Sequence, residues 1–105
     1  MLGVQRRAAA RRDLVDLYVY YAEAGGEALA DRFLQSVEVS CTMLQEQPLI
    51  GSPLNLRHAA LRDVRRWPVR DFQDVLIFYR PHAEGVELIR VLYASRDWWT
   101  LLGFG

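Results

Sequence analysis

The amino-acid sequence predicts an α+β domain in which a small twisted antiparallel sheet is covered on one face by an α-helical hairpin. Residues 8–47 carry apolar side chains at the three- and four-residue spacing of helices, with Gly25-Gly26 between two such segments. Residues 61–94 carry short runs of β-branched and aromatic residues separated by turn formers, which is typical of strands. Because a three-stranded run cannot bury both faces alone, we expect the helices to cover one face. The other face is left for a partner, a substrate or the C-terminal tail.

Length and composition indicate one soluble domain spanning residues 1–105. The chain is 51% hydrophobic and 25% charged, as ordinary globular proteins are, and its length is near the commonest domain size. No apolar run approaches the ~20 residues of a membrane span, and the N-terminal residues lack the apolar core of a signal peptide. We therefore expect a cytoplasmic location and no membrane contact, with the single cysteine, Cys41, as a small buried hydrophobe.

The N-terminal half is predicted to form a short strand and two helices. Residues 2–7 alternate in character, which favours a first strand. The apolar stripe of the first helix consists of Leu14, Leu17, Tyr18 and Tyr21. This helix is predicted to run from Ala8 to Gly25-Gly26, where the chain can adopt left-handed conformations. The second helix is predicted from Glu27 to Gln47, and Pro48 stops it.

The C-terminal half is predicted to form three antiparallel strands. After a loop from Pro48 to about His58, residues 61–69 read as an edge strand, because Pro68 cannot donate to a ladder. Residues 75–79 and 86–94 read as a hairpin around a loop at residues 80–85. In the last strand we expect one face to carry Val86, Leu88, Arg90 and Leu92, and the other to carry Glu87, Ile89, Val91 and Tyr93. The order is β-α-α-β-β-β, and Asp97 can cap a short C-terminal helix through Leu102.

The common catalytic and metal-binding patterns are missing from the sequence. There is no glycine-rich phosphate loop, no GxSxG and no HExxH. Both histidines, His58 and His82, fall in predicted loops, and with one cysteine they form no metal constellation, so we expect no metal and no cofactor. All 13 cationic residues are arginine, which binds carboxylates and phosphates but cannot act as a neutral base.

A group of arginines is the remaining candidate for a functional surface. Its members come from the predicted edge strand, its end and the last strand, and they are Arg65, Arg66, Arg70, Arg90 and Arg96. Neighbouring antiparallel strands can bring several of them together on the open face, where they would bind nucleic acid or an acidic protein segment. The alternative is that nearby acids pair with them in ordinary surface salt bridges. Composition alone leaves both readings open.

Six short motifs then carry a resemblance that spans roughly residues 4–98. They are residues 10–14 (ARRDL), residues 30–33 (ADRF), Pro48-x-x-Gly51-x-Pro53, residues 78–80 (FYR), residues 89–92 (IRVL) and residues 94–97 (ASRD). In this order and spacing the sequence resembles the ParE/RelE superfamily, the toxin halves of type II toxin–antitoxin systems, often called plasmid stabilisation proteins. It resembles the ParE-like branch more than the RelE-like nucleases. The family commonly has histidine at the position occupied here by Tyr93.

The resemblance implies a toxin that a cognate ParD-like antitoxin keeps inactive. ParE-like members are associated with inhibiting DNA gyrase by binding, and RelE-like members cut mRNA in the ribosome. General acid–base cleavage needs a group that titrates near neutral pH, and this chain has no lysine and no histidine on a predicted strand. We therefore expect a gyrase inhibitor rather than an enzyme, with no catalytic residue assigned. The alternatives are a ribosome-dependent mRNA endoribonuclease and a non-toxic module that only binds the antitoxin.

Two overlapping sets of candidate contact residues follow from the arginine group and the resemblance. The expected target-binding residues are Arg65, Arg66, Arg70, Arg90, Tyr93 and Arg96. The expected antitoxin-binding residues are Tyr18, Tyr20, Tyr21, Arg66 and Arg90. We expect the antitoxin to bring an amphipathic helix and a following extended stretch to the helical hairpin and the open side of the sheet. The assembly is left open between a homodimer and a toxin–antitoxin heterotetramer.

Overall fold

The computed structural model describes residues 3–54 and 62–96, and its elements confirm the predicted α+β class and the order β-α-α-β-β-β. The elements are β1 (Gly3–Arg6), α1 (Ala8–Gly25), α2 (Glu27–Glu46), β2 (Ser52–Pro53), β3 (Arg65–Val69), β4 (Phe72–His82) and β5 (Gly85–Tyr93). The two-residue strand β2 is an addition, since it falls in the predicted loop. His58 and the predicted C-terminal helix lie outside the described residues.

The two helices form the predicted hairpin with a single glycine between them. Gly26 has a φ of +88°, and its N–H donates to the carbonyl of Ala22 at 2.9 Å, which closes α1. In α2 the buried positions recur at helical spacing and include Phe33, Val37 and Cys41. Burial raises the pKa of the Cys41 thiol to about 11, so this cysteine packs as a small hydrophobe, as predicted.

The sheet has the order β1-β5-β4-β3-β2 and is open. Strands β2 to β5 pair antiparallel, but β1 pairs parallel to β5, with Val4 opposite Val86. The sheet is therefore mixed, with one parallel pair at β1 added to the predicted antiparallel strands. The parallel direction lets the chain pass from Arg6 into α1 along β5: the N–H of Arg7 donates to the carbonyl of Leu88 at 3.0 Å, and α1 begins one residue later.

The β4–β5 hairpin is longer and its turn tighter than predicted. Pro81 and His82 belong to β4 and pair with Val86 and Gly85, so the turn contains only residues 83–84. The Nδ1 atom of His82 accepts a hydrogen bond from the N–H of Glu84 at 3.1 Å. His82 therefore ends β4 beside the turn, and its prediction as a loop residue is wrong by this one position.

A β-bulge in β5 changes which residues face the helices. Tyr79 pairs with Leu88 and Phe78 pairs with Arg90, so Ile89 has no partner in β4. Past this point the faces exchange. Val91 lies with Val86 and Leu88 in the core beneath the helices, whereas Ile89 and Leu92 lie with Phe78 in a second cluster. The predicted alternation is therefore wrong beyond Leu88.

The face of the sheet turned away from the helices is already buried at its centre. Phe78, Ile89, Leu92 and Val64 form the second cluster there, and none is more than 5% exposed. A partner on this side would therefore contact the residues around this centre rather than the centre itself.

The loop after α2 is held by side chains from the sheet. The buried Tyr79 hydroxyl donates to the carbonyl of Pro48 at 2.7 Å and accepts from the N–H of Gly51 at 2.9 Å. Arg65 donates to the carbonyls of Leu49 and Gly51 at 3.1 and 2.8 Å. These contacts give the Pro48 and Gly51 positions of the sequence motif a structural role.

An ion pair at the β1 edge predicts a pH effect on stability. Hydrogen bonds from Arg7, and then Arg80, hold the pKa of Glu87 below its usual value of 4.5 despite partial desolvation. A carboxylate with a lowered folded pKa stabilises the fold above its unfolded pKa, and this contribution disappears as pH falls through the folded value. In urea unfolding measured from pH 7 to pH 3, we expect Glu87→Gln to flatten the loss of stability below about pH 4.5. Glu84→Gln, an exposed change in the adjacent turn, is the control, and equal flattening in both variants would contradict the assignment.

Candidate functional site

Several predicted site residues meet at a cavity between α1 and the C-terminal end of β5. The cavity has a volume of about 260 Å³, and Tyr20, Tyr93 and Arg96 line it together with Asp13 and Asp16. Tyr20 is 52% exposed and Arg96 is exposed, whereas Asp13 is buried. The cavity therefore has an accessible rim, formed by Tyr20 and Arg96, and a buried carboxylate, Asp13, at its floor.

Asp13 ties α1 to the edge of β5. Its carboxylate accepts hydrogen bonds from Arg90 Nε at 2.7 Å, from Arg90 Nη2 at 2.8 Å and from the backbone N–H of Val91 at 2.9 Å. The last bond is of the kind that a neighbouring strand would make, but the pairing of β1 stops at Leu88. Asp13 thus closes the strand edge where β1 ends. The hydrogen bonds to Asp13 also raise the pKa of Arg90.

Tyr93 belongs to an aromatic cluster. Its hydroxyl donates to the Tyr21 hydroxyl at 2.9 Å, and the Tyr20 ring stands edge-on, with centroids 5.6 Å from Tyr93 and 5.2 Å from Tyr21. Tyr21 packs in turn on Phe33 and Phe72, with centroids 4.8 and 5.1 Å away. Burial, together with the hydrogen bond to Tyr21, raises the pKa of Tyr93. Its hydroxyl is therefore protonated at neutral pH and suited to stacking or hydrogen bonding rather than to base chemistry.

Tyr18 faces a different surface from Tyr20 and Tyr21. It lines a shallow apolar groove of about 330 Å³ on the outside of the helical hairpin, together with Leu14, Val15 and Leu34. The Tyr18 hydroxyl donates to Asp31 at 3.0 Å across the two helices, and this bond raises its pKa. Tyr18 therefore lies at the hairpin groove, Tyr20 at the cavity beside β5, and Tyr21 within the aromatic cluster.

The arginines converge only in part. Arg66 pairs with Phe78, and Phe78 pairs with Arg90, so the two arginines start from the same face of the sheet. Arg66 is exposed, whereas Arg90 is bound to Asp13. Arg65 lies opposite Tyr79 and holds the loop after α2, and Arg70 lies in the turn between β3 and β4. The register therefore places Arg66 and Arg90 at neighbouring positions across β4, whereas Arg65 and Arg70 lie elsewhere.

Within the described residues, the alternative of surface salt bridges with nearby acids is not seen for Arg65, Arg66 or Arg70. Among the described residues, Glu87 pairs with Arg80 and Arg7 at 2.9 and 3.2 Å. The described ion pair of Arg90 is with Asp13 of α1. Metal chemistry finds no support within the described ranges, where no three His, Cys, Asp or Glu side chains are grouped to hold an ion. Across those same residues, neither helix is long and apolar enough to cross a bilayer.

Two residues of this region are missing from the predicted sets. Asp13 is one of three buried residues of α1, with Ala10 and Leu17, and the three recur at helical spacing. A carboxylate on a buried stripe requires a partner, so this spacing is the signal that could have identified Asp13. Tyr79 sits in an apolar run, and nothing in the sequence distinguishes its hydroxyl from that of any other tyrosine.

Comparisons with known proteins agree with the fold described above. A family model described as the ParE toxin of the type II toxin–antitoxin system, parDE, matches residues 4–98. A chain from the chromosomal ParDE toxin–antitoxin system of P. aeruginosa has a similar structure, with a TM-score of 0.72 at 17% identity over 90% of this chain and 98% of that chain. At that identity the likeness shows the fold alone. Among curated proteins no sequence matches this chain.

Proposed function

The chain belongs to the ParE toxin family of type II toxin–antitoxin systems, and from this premise we propose that it inhibits DNA gyrase by binding and that a ParD-like antitoxin neutralises it. The observation that favours inhibition over mRNA cleavage is that the described strands contain no lysine and one histidine, His82. The Nδ1 atom of His82, at the end of β4, already accepts a hydrogen bond from the N–H of Glu84, and the raised pKa of Tyr93 keeps its hydroxyl protonated. Acid–base cleavage works best with a group that titrates near the operating pH.

The target contact in this proposal centres on the cavity at the end of β5. Tyr93 and Arg96 contact gyrase directly, with Tyr20 as the exposed aromatic rim. Arg66 extends the contact on the sheet face because its side chain is exposed. Arg90 and Arg65 act indirectly, since their guanidinium groups hold Asp13 and the loop after α2.

The antitoxin contact in this proposal is the outer groove of the helical hairpin. Val15 is 62% exposed, Val19 is 47% exposed and Leu34 is 37% exposed, and these side chains lie beside Tyr18. An amphipathic helix buries such a row of apolar side chains by laying its own apolar face along it. A following extended stretch continues to Tyr20 and the arginines of the sheet face. The mass of the purified complex distinguishes a one-to-one pair from a heterotetramer.

A supercoiling assay with purified gyrase tests the proposed target. We expect the folded chain to inhibit supercoiling at micromolar concentration and the Tyr93→Ala/Arg96→Glu variant to lose at least about tenfold in potency, because both direct contacts are removed. Glu23→Ala, an exposed change on α1, is the matched control. No inhibition by the folded wild-type chain would count decisively against gyrase. If growth then stops with new mRNA ends in primer extension, the chain is an endoribonuclease, and if growth continues it is an antitoxin-binding module.

A further inference from the structure

A second groove, separate from the aromatic cluster around Tyr93, lies where α2 meets the turn between β3 and β4. It has a volume of about 540 Å³ and is lined by Arg32 and Gln35 from α2 and by Arg70 and Asp71 from the turn. It shares no lining residue with the cavity beside Tyr93 or with the hairpin groove. Arg70 was predicted as a target contact, and this groove is where the structure places it.

The two arginines of this groove have no anionic partner in the part of the chain that the structure describes. Within the described residues, neither Arg32 nor Arg70 forms an ion pair. Glu38 also lines the groove, but Arg6 binds it at 2.6 Å. Guanidinium groups favour carboxylates and phosphates through paired N–H donors, so the groove has cationic donors available for an anion from outside.

Arg70 is presented on a fixed turn. Its backbone N–H donates to the Ser40 hydroxyl at 3.0 Å, which ties the turn to α2. Asp71 adopts a φ of +66°, and Val69 pairs with Phe72 across the two-residue turn. A site whose backbone is already ordered loses less conformational entropy when a ligand binds.

An apolar surface continues from the arginines. A neighbouring depression of about 230 Å³ shares Val39 and Arg70 with the groove and adds Met43, Trp67 and Pro68. Val39 is 43% exposed. The two depressions together accommodate a carboxylate with an apolar side chain next to it, which is the pattern of an acidic, partly apolar protein segment.

The surrounding charge disfavours nucleic acid as the occupant. Asp71 lines the groove, and residues 8–46, which form the two helices, contain seven acids against three arginines. A polyanion would approach this acidic surface with repulsion along its length, whereas a protein segment can place one carboxylate between Arg32 and Arg70.

We propose that the Arg32–Arg70 groove binds an acidic, partly apolar segment of the toxin's target protein. This inference rests on the proposed function, because it names the chemistry of a second target contact. It divides the target-binding surface into two parts, one at Tyr93 and Arg96 and one at Arg32 and Arg70. The hairpin groove remains available to the antitoxin in this arrangement.

The test combines a defined probe with the activity of the whole chain. Fluorescence anisotropy measures binding of a labelled peptide of alternating Glu and Leu to the wild type. We expect Arg32→Glu/Arg70→Glu to weaken binding by about tenfold or more, because charge reversal turns attraction into repulsion. Arg32→Gln/Arg70→Gln should give an intermediate loss. Arg11→Glu/Arg12→Glu, the same charge change at exposed sites of α1, should leave the affinity unchanged, and circular dichroism confirms folding of each variant.

The outcomes separate this inference from the proposed function. Loss of both peptide binding and supercoiling inhibition in Arg32→Glu/Arg70→Glu supports it. Equal peptide binding by that variant and the wild type overturns it, as does tighter arginine-dependent binding of a single-stranded oligonucleotide than of the peptide. If the wild type binds the peptide but does not inhibit gyrase, the gyrase proposal fails. In that case growth arrest tests the role of the groove. Loss of growth arrest in Arg32→Glu/Arg70→Glu supports target binding by the groove, and retained growth arrest overturns it.

Discussion

Asp13→Ala is expected to lower the free energy of unfolding by about 3–5 kcal/mol, the range for removing one partner of a buried ion pair. Asp13 is 7% exposed, and the Arg90 side chain is 19% exposed. The substitution removes two hydrogen bonds from the Arg90 guanidinium and one from the Val91 N–H. It removes the carboxylate that a partly buried guanidinium and a strand-edge N–H share as acceptor, and unfolding in urea at neutral pH measures the loss.

A double-mutant cycle separates the ion pair from the strand-edge bond. Arg90→Ala should cost less than Asp13→Ala, because the carboxylate then still accepts from Val91. Adding Arg90→Ala to Asp13→Ala should cost little more, since the guanidinium has already lost its two bonds to Asp13. Glu23→Ala on the same helix should change stability by no more than about 0.5 kcal/mol, as exposed substitutions usually do. An Asp13→Ala effect below about 1 kcal/mol would show that the site relaxes or admits water.

The fold was predictable because its signals are local. The helical stripe through Leu17 and the glycine at residue 26 set α1 and its end within the hairpin, and the β-rich run at residues 75–79 identified β4. The parallel pairing of β1 was not predictable in this way. It depends on where α1 docks on β5, through contacts such as Asp13 to Val91 that join residues 78 positions apart.

The site was less predictable because one inserted residue reassigns the faces of β5. A strict alternation puts Val91 and Leu88 on opposite faces of β5. The bulge at Ile89 instead puts both side chains in the core beneath the helices. Sequence periodicity cannot locate a bulge within a strand that is apolar on both faces. For the same reason the positions of Arg65 and Arg70 could not be predicted from periodicity. They depend on the register of β3 with β4 and on where the turn after β3 falls.

Gly85→Ala is expected to release β1 from the sheet. Gly85 begins β5 with a φ of +134°, and a Cβ there would overlap the backbone carbonyl and nitrogen of Gly3 on the paired strand. The conformation alone costs a non-glycine residue about 1–3 kcal/mol, and backbone atoms cannot move aside as a flexible side chain can. We expect loss of the Gly3–Glu84 hydrogen bond and faster amide exchange at Val4 and Arg6 than at the centre of β4.

Two other glycines provide matched controls for the two parts of the Gly85→Ala effect. A Cβ at Gly3 or at Gly26 would meet nothing within 4 Å, but only Gly26 has a positive φ, at +88°. Gly3→Ala should therefore be nearly neutral, and Gly26→Ala should show the conformational cost alone. Gly85→Ala should exceed Gly26→Ala and accelerate exchange in β1 specifically. Equal effects at Gly85 and Gly26 would mean that the close approach of β1 contributes nothing. Detachment of β1 would also displace the start of α1, so gyrase inhibition by Gly85→Ala should fall while that of Gly3→Ala is retained.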